Sequence, residues 1–223
     1  MSRGTGRRGA LRALAAGVLA LGAPKAAQAG AQVEEPLADA VRTALSSAVA
    51  ASAPPPELSF DNSAARLAYL RWLGAMSDRL KKHKSERQVR LEFLQTLWYE
   101  SRRAGLEPAL VLGLVQVESG FRKYAISPAG ARGYMQVMPF WSRQIGDGDA
   151  ARLFIMQTNL RFGCVILRHY LDQEQGDLFM ALGRYNGSRG RPEYPDAVLA
   201  ARSAWLLPSD SKSASGVARA PAR

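Results

Sequence analysis

The sequence predicts an all-α protein, and three observations carry that reading. Apolar residues recur at three- and four-residue intervals in successive stretches, no stretch alternates convincingly with the two-residue period of a strand, and no internal repeat appears. Leu37, Val41, Leu45 and Val49 repeat every fourth residue and predict a short amphipathic helix. Ala50–Pro56 ends it with an Ala/Ser run and three consecutive prolines, a stiff extended linker. From Ala64 to Lys82 the set Leu67, Leu70, Leu73, Met76/Ser77 and Leu80 marks a second helix. Ser85 is the expected N-cap of a third, which carries Val89, Phe93, Leu94, Leu97 and Trp98 and stops near Gly105.

Pro108 suits the first turn of a fourth helix that runs to Glu118. Ser127-Pro128-Ala129-Gly130 reads as a turn, and Gly133-Tyr134-Met135-Gln136 as the start of a short element ending before Pro139. Asp149–Glu174 is expected to be one long helix with its stripe on Leu160, Cys164, Leu167 and Leu171. After Gly176-Asp177, Leu178–Tyr185 forms the next helix, and Gly187–Pro195 reads as a loop. A last helix carries Tyr194, Val198, Ala201 and Trp205, and the Ser/Ala/Arg-rich tail 208–223 is expected to be disordered. The helical domain therefore runs from about Ala64 to Leu207.

With 223 residues there is room for one domain of about 100–150 residues plus a leader and tails. The net charge of +11 favours an anionic partner such as nucleic acid, lipid headgroups or an acidic polymer. That charge is spread along the chain. Its one tight cluster, Lys81-Lys82-His83-Lys84, is explained as well by a solvated helix end as by a binding patch. No basic stripe with interleaved aromatics marks a nucleic-acid binder. Cys164 is the only cysteine and His83 and His169 are the only histidines, so an internal disulfide, a cysteine metal cluster and a histidine-rich zinc site are excluded. No metal or other cofactor is called for.

Residues 1–29 read as an export signal. Arg3, Arg7, Arg8 and Arg12 form a basic leader, Ala13–Ala23 is a short uncharged apolar run, and Ala27-Gln28-Ala29 supplies a small-x-small cleavage pattern. The expectation is cleavage after Ala29 and a mature protein in the periplasm, part of the cell envelope.

The most telling stretch is Ala109–Val137. Nine residues, apolar except for Gly113 and Gln116, lead straight into Glu118. A helix apolar on nearly every face is buried, so its terminal carboxylate belongs at the wall of a cleft. Burial disfavours the charged form and raises a carboxyl pKa, which suits a general acid near neutral pH. A surface Glu just past the helix end is the bland alternative.

Three islands follow one another: Glu118-Ser119-Gly120-Phe121, Gly133-Tyr134-Met135-Gln136 and Arg184-Tyr185-Asn186, with Ser127-Pro128-Ala129-Gly130-Ala131 between the first two. From about Leu106 to Trp205 this arrangement closely resembles the soluble lytic transglycosylase (SLT) domain family, of lysozyme-like fold. The resemblance implies a SLT domain over 106–207, with 30–63 as a helix and Pro-rich linker and 64–105 as a helical extension packed on it. It implies cleavage of the β-1,4 bond between N-acetylmuramic acid and N-acetylglucosamine in peptidoglycan, leaving a 1,6-anhydromuramic end without use of water.

By the same resemblance Glu118 is the catalytic acid/base, and Ser119 helps orient that Glu or the substrate acetamido group. Met135 and Gln136 line the sugar cleft. Tyr185 brings a hydroxyl towards the catalytic carboxyl, and Asn186 caps the same turn. Two positions depart from the family pattern: Tyr134 stands where Leu is common and Arg184 where Ala is common. Neither removes a reacting group.

The chemistry of the residues agrees. Glycosidic cleavage needs a proton on the leaving oxygen, and most glycosidases add a second carboxylate. No acid lies between Ser119 and Ile145. A lone acid suffices when the substrate's acetamido oxygen stabilises C1 and its C6 hydroxyl attacks there, with Glu118 acting first as acid and then as base. Tyr185 reads equally as a core tyrosine. Gln136 suits sugar hydroxyls. Phe121, Phe140 and Trp141 fit core packing better than sugar contact, and Arg189 and Arg191 fit a solvated loop as well as stem-peptide carboxylates.

The expected partner is the peptidoglycan glycan strand, with peripheral association to the anionic wall or membrane surface. A lysozyme-type hydrolase using a downstream Asp, and a non-catalytic glycan-binding protein, are the competing readings.

Overall fold

A computed structural model describes residues 32, 34–50 and 58–207. The leader 1–29, the prolines of the linker and the tail 208–223 lie outside the described residues. Eight α-helices are present among the described residues: α1 (Asp39–Ala50), α2 (Ser63–Leu80), α3 (Arg87–Arg103), α4 (Pro108–Ser119), α5 (Pro139–Ile145), α6 (Met156–Gln173), α7 (Leu178–Asn186) and α8 (Glu193–Ser203). A 3₁₀ turn, Ala150–Phe154, precedes α6. The only extended pairings among these residues are the isolated bridges Ile126–Arg132 and Arg132–Val137. No helix of the described residues is long and apolar enough to cross a membrane.

Helix α4 is the central rod. Val111, Leu112, Leu114 and Val115 are fully buried on it, as its unbroken apolar sequence requires. Helix α8 lies directly against it, and the approach depends on Gly113. A Cβ there would meet the Arg202 nitrogen at 2.6 Å and the Val198 carbonyl at 3.0 Å, both backbone atoms that cannot step aside. Gly113→Ala is therefore expected to destabilise the protein by about 1–3 kcal/mol through overpacking, read as a lower melting temperature. Because α4 carries Glu118 and α8 carries Tyr194, it also disturbs the site below.

A buried ion pair ties α3 to α6. The Arg161 guanidinium donates to both Glu100 oxygens, with Nη2 at 2.7 Å from Oε1 and Nε at 3.2 Å from Oε2. Both side chains are almost wholly out of water. Cys164 is buried on α6, in the place its spacing predicts.

Several local expectations are corrected. On α2, Leu67 and Leu70 are half exposed, while Tyr69, Trp72, Leu73, Met76 and Leu80 are buried. The helix is apolar on two sides, and the side bearing aromatics wins because Tyr69 packs on Phe60 and Trp98, with centroids at 5.2 and 4.9 Å. Ser85 is not the cap of α3. That position falls to Glu86, which makes no side-chain cap bond, while the Ser85 and Lys84 carbonyls accept from the buried Arg90 guanidinium.

Residues 133–136 form turns, and helix begins only at Pro139. The single long helix expected over Asp149–Glu174 is two elements parted at Ile155. Asp149 caps the first, accepting from the Ala151 amide at 2.8 Å. Asn159 holds the break from inside, its Nδ2 donating to the Leu153 and Arg132 carbonyls, both at 2.8 Å. Helix α8 starts within the stretch read as loop, and Trp205 lies beyond its end.

Candidate active site

Four segments meet around Glu118: the end of α4, the turn 133–137, the end of α7 and the start of α8. Gly120 closes α4 in the left-handed region (φ 57°), its amide donating to the Gln116 carbonyl at 3.1 Å. Phe121 follows at φ 64°. Two consecutive left-handed residues turn the chain sharply away. Phe121 then packs into the core against Phe93, His83 and Trp205.

Glu118 is 7% exposed. Tyr194 donates its hydroxyl to Glu118 Oε1 at 2.5 Å, while Oε2 is buried without a partner among the described residues. Burial pushes the carboxyl up to about 8, opposed by the Tyr194 bond, which favours the anion. The acid is thus mostly protonated at neutral pH. The Tyr185 and Tyr194 phenols are both raised, by burial first and then by the negative charge Glu118 can carry.

The other expected site residues lie at or next to these segments but are mostly engaged with backbone. Tyr185 does not reach the carboxyl. Its hydroxyl donates to the Met135 carbonyl at 2.8 Å, and Tyr194 takes the place assigned to it. The physical reason is direction: Tyr185 is near the end of α7 and points under the turn, whereas Tyr194 starts α8 opposite the end of α4. Ser119 is buried and donates to the Tyr134 carbonyl at 2.7 Å and to the Val115 carbonyl at 3.1 Å, so it fixes the turn to α4 instead of touching Glu118.

Met135 is fully buried. Its amide donates to Asn159 Oδ1 at 2.8 Å, and its side chain rests on Gly163, where a Cβ would approach the sulfur to 2.4 Å. Gln136, also buried, is left-handed (φ 48°) and donates Nε2 to the Gly133 and Ala125 carbonyls at 3.0 and 3.1 Å. Neither therefore presents an open face to a cleft; they brace the turn beside Glu118. Asn186 donates to Ser188 Oγ at 3.0 Å, and its Oδ1 is buried without a partner among the described residues.

Phe140 and Trp141 are core residues. The Arg189 guanidinium is held by Glu174 at 2.8 Å, with Arg184 on the same carboxylate. Together they hold the Glu174 carboxyl down at about 2, so this downstream acid is no proton donor.

The sequence reading missed Tyr194 as the carboxyl's partner. The residue was legible only as part of an apolar stripe, and the 76-residue separation from Glu118 left no local signal. It also missed Gln32. The Trp141 indole donates to Gln32 Oε1 at 2.8 Å, and Gln32 Nε2 donates to the Tyr185 carbonyl. Glu35 follows, its carbonyl accepting from Gln144 at 3.0 Å and its carboxylate 3.6 Å from Arg184. Gln32 and Glu35 thus link α5 to the end of α7.

Residues 97–195, from α3 to the start of α8, match the family described as the transglycosylase SLT domain. Among relatives, the membrane-bound lytic murein transglycosylase C of Actinobacillus pleuropneumoniae (serotype 5b, strain L20) is 36% identical over 90 residues, covering 37% of this chain and 25% of the relative. The protein of the same name from Haemophilus influenzae (strain PittEE) is 44% identical over 114 residues, covering 44% and 32%. The transglycosylase of Enterobacteria phage PRD1 is 33% identical over 104 residues, covering 47% and 38%. The chain thus matches well under half the length of these relatives. Among solved structures, an inactive mutant of the lytic transglycosylase Slt from Pseudomonas aeruginosa aligns with a TM-score of 0.46 at 23% identity, over 63% of this chain and 29% of that one.

Proposed function

We propose that this protein is an exported peptidoglycan lytic transglycosylase that cleaves the MurNAc-β-1,4-GlcNAc bond with Glu118 as its single general acid/base. The observation that carries the reading is the state of that carboxyl: buried, raised to about 8, one oxygen held by Tyr194 and the other unpartnered among the described residues. The held oxygen fixes the rotamer. The other carries the proton to the glycosidic oxygen as the bond from the muramic C1 breaks. The substrate's acetamido oxygen shields C1 on the opposite face. The C6 hydroxyl then bonds to C1 and returns its proton to Glu118, leaving a 1,6-anhydro ring and a regenerated acid.

Tyr194 orients the carboxyl. Tyr185, Ser119, Met135 and Gln136 act on it at one remove, by fixing the turn against α4 and α7, and Asn186 Oδ1 is the free acceptor for a substrate amide or hydroxyl. The names of the curated relatives, the SLT match and the export-like leader support a substrate and location in the periplasmic cell envelope.

Mass spectrometry of digested sacculi tests the reading. Anhydromuramic ends are expected; free reducing ends would replace it with hydrolysis by an activated water. A second test separates Tyr194 from a packing role. Tyr194→Phe removes the bond that favours the anion, so the Glu118 pKa is expected to climb further and the alkaline limb of the rate profile to move to higher pH. The maximal rate should fall roughly 10-fold as the rotamer loosens. A slower enzyme with an unmoved alkaline limb would leave Tyr194 a mere core residue.

A further inference from the structure

One groove of the described residues is not lined by Glu118. It has a volume of about 1370 Å³ and runs between the N-terminal helices and the SLT domain. Leu70 of α2 and Val89 of α3 form one wall, and Tyr134, Lys123 and Ile155 form the other. Residues 58–96 precede the family match, so the groove exists only where this chain's own extension meets the domain.

Its lining includes exposed apolar surface. Six large hydrophobic residues are exposed among the described residues, and three of them, Leu70, Val89 and Ile155, line this groove. Leu70, Val89 and Ile155 line it at 45–50% exposure. Leu67 is one turn from Leu70 on α2. Tyr124 follows the lining Lys123, its ring tilted against Phe154, the neighbour of Ile155, with centroids 6.0 Å apart. Single exposed hydrophobics need no explanation, but three gathered on one concave face mark an interaction site.

The volume exceeds the ~300–1,000 Å³ of small-molecule clefts, so a polymer segment fits better. Half-exposed aliphatic side chains suit another protein's apolar residues. Sugar rings would need open aromatic faces in the groove, and its lining tyrosines are buried, Tyr69 packed on Phe60 and Trp98 and Tyr134 on Phe93, while the exposed Tyr124 is not part of the lining. The concave shape is unsuited to a flat bilayer.

Charge narrows the occupant. Arg66 and Lys123 line the groove against a single lining carboxylate, Glu92. Lys84 adds a third cation, donating to the Tyr134 hydroxyl at 2.8 Å with its ammonium 4.6 Å from that ring. The chain's own tail, basic and poor in large apolar residues, has the wrong chemistry for the site.

We propose that this groove docks an amphipathic helix of a partner protein, with its apolar face on Leu70, Val89 and Ile155 and its carboxylates towards Arg66, Lys84 and Lys123. Docking here leaves Glu118 uncovered, so a partner positions the enzyme without competing for glycan. The inference goes beyond the proposed reaction and stands independently of it.

The test uses the full chain and a fluorescein-labelled 14-residue helical peptide with a leucine face flanked by glutamates, read by anisotropy. Saturable binding is expected. It should weaken at least tenfold in Leu70→Asp, Val89→Asp and Ile155→Asp, and for a peptide with lysines in place of the glutamates. Melting temperature and sacculus digestion should be unchanged in all three variants, whose side chains are already half in water. The proposal is overturned if the glutamate peptide fails to bind or the substitutions leave its binding intact. It is also overturned if what the variants lose is affinity for phosphatidylglycerol vesicles, for muropeptide oligosaccharides or for a second copy of the chain in sedimentation.

Discussion

Glu118→Gln is expected to reduce the rate of sacculus digestion on the order of 10³–10⁴-fold, with glycan binding retained. General acid–base transfer contributes ~10²–10⁴-fold at one step, and in the proposed mechanism one group serves both the protonation of the leaving oxygen and the deprotonation of the C6 hydroxyl. Glutamine is the discriminating replacement because it matches glutamate in shape. Its amide oxygen still accepts from Tyr194, as Oε1 does at 2.5 Å, so packing around α4 and α8 is preserved while the proton is removed. Anhydromuramic products counted by mass spectrometry, alongside sacculus binding by sedimentation, separate lost chemistry from lost affinity. Digestion at an undiminished rate would place the acid elsewhere. Two downstream carboxylates offer no ready substitute: Glu174 is committed to Arg184 and Arg189, and Asp147 is lowered chiefly by the Asp149 amide and pairs with Arg152.

The same substitution should stabilise the protein, and only above about pH 4.5. The Glu118 carboxyl titrates near 4.5 when unfolded and at about 8 when folded, because burial penalises its anion. Between these values the native state binds more protons than the unfolded chain, so stability falls as pH rises. Glu118 costs nothing below about pH 4.5 and its full penalty above about 8, on the order of 5 kcal/mol at that limit. Glutamine has no proton to lose. Melting temperatures of the two proteins should therefore converge at pH 4.5 and separate at pH 8.5, with Glu118→Gln the higher. The difference between the two curves cancels the titration of every other group. Parallel curves would mean that the carboxyl is hydrated in solution, and the burial that supports its role as an acid would be lost with it.

Gly113→Ala and Tyr194→Phe complete the set by acting on the same geometry from two directions, the first through the separation of α4 and α8 and the second through the bond that separation permits. A Gly113→Ala protein that keeps its melting temperature would show that the α8 backbone can yield, contrary to the close approach of Arg202 and Val198.

The helical class was legible because 3.6-residue periodicity is a local property. So was the burial of Glu118, since a helix apolar on all sides leaves its last turn no exposed face. Periodicity failed where a helix has two apolar sides: on α2, Leu67 and Leu70 compete with Tyr69 and Trp72, and only the neighbours Phe60 and Trp98 decide. It failed again at Ile155, where the stripe of α6 continues in sequence but Asn159 draws the backbone into a turn through Leu153 and Arg132.

By itself the sequence determined that this chain is helical, that one carboxylate is driven out of water, and that no cysteine or histidine cluster assists it. The tertiary structure alone decided which hydroxyl holds that carboxylate. Tyr185 and Tyr194 are both buried tyrosines near chain turns, and a hydrogen bond depends on where a side chain points across a contact 76 residues long. It also decided that Ser119, Met135 and Gln136 spend their polar atoms on backbone, because a turn packed in the interior must satisfy its own carbonyls and amides before it can serve a ligand.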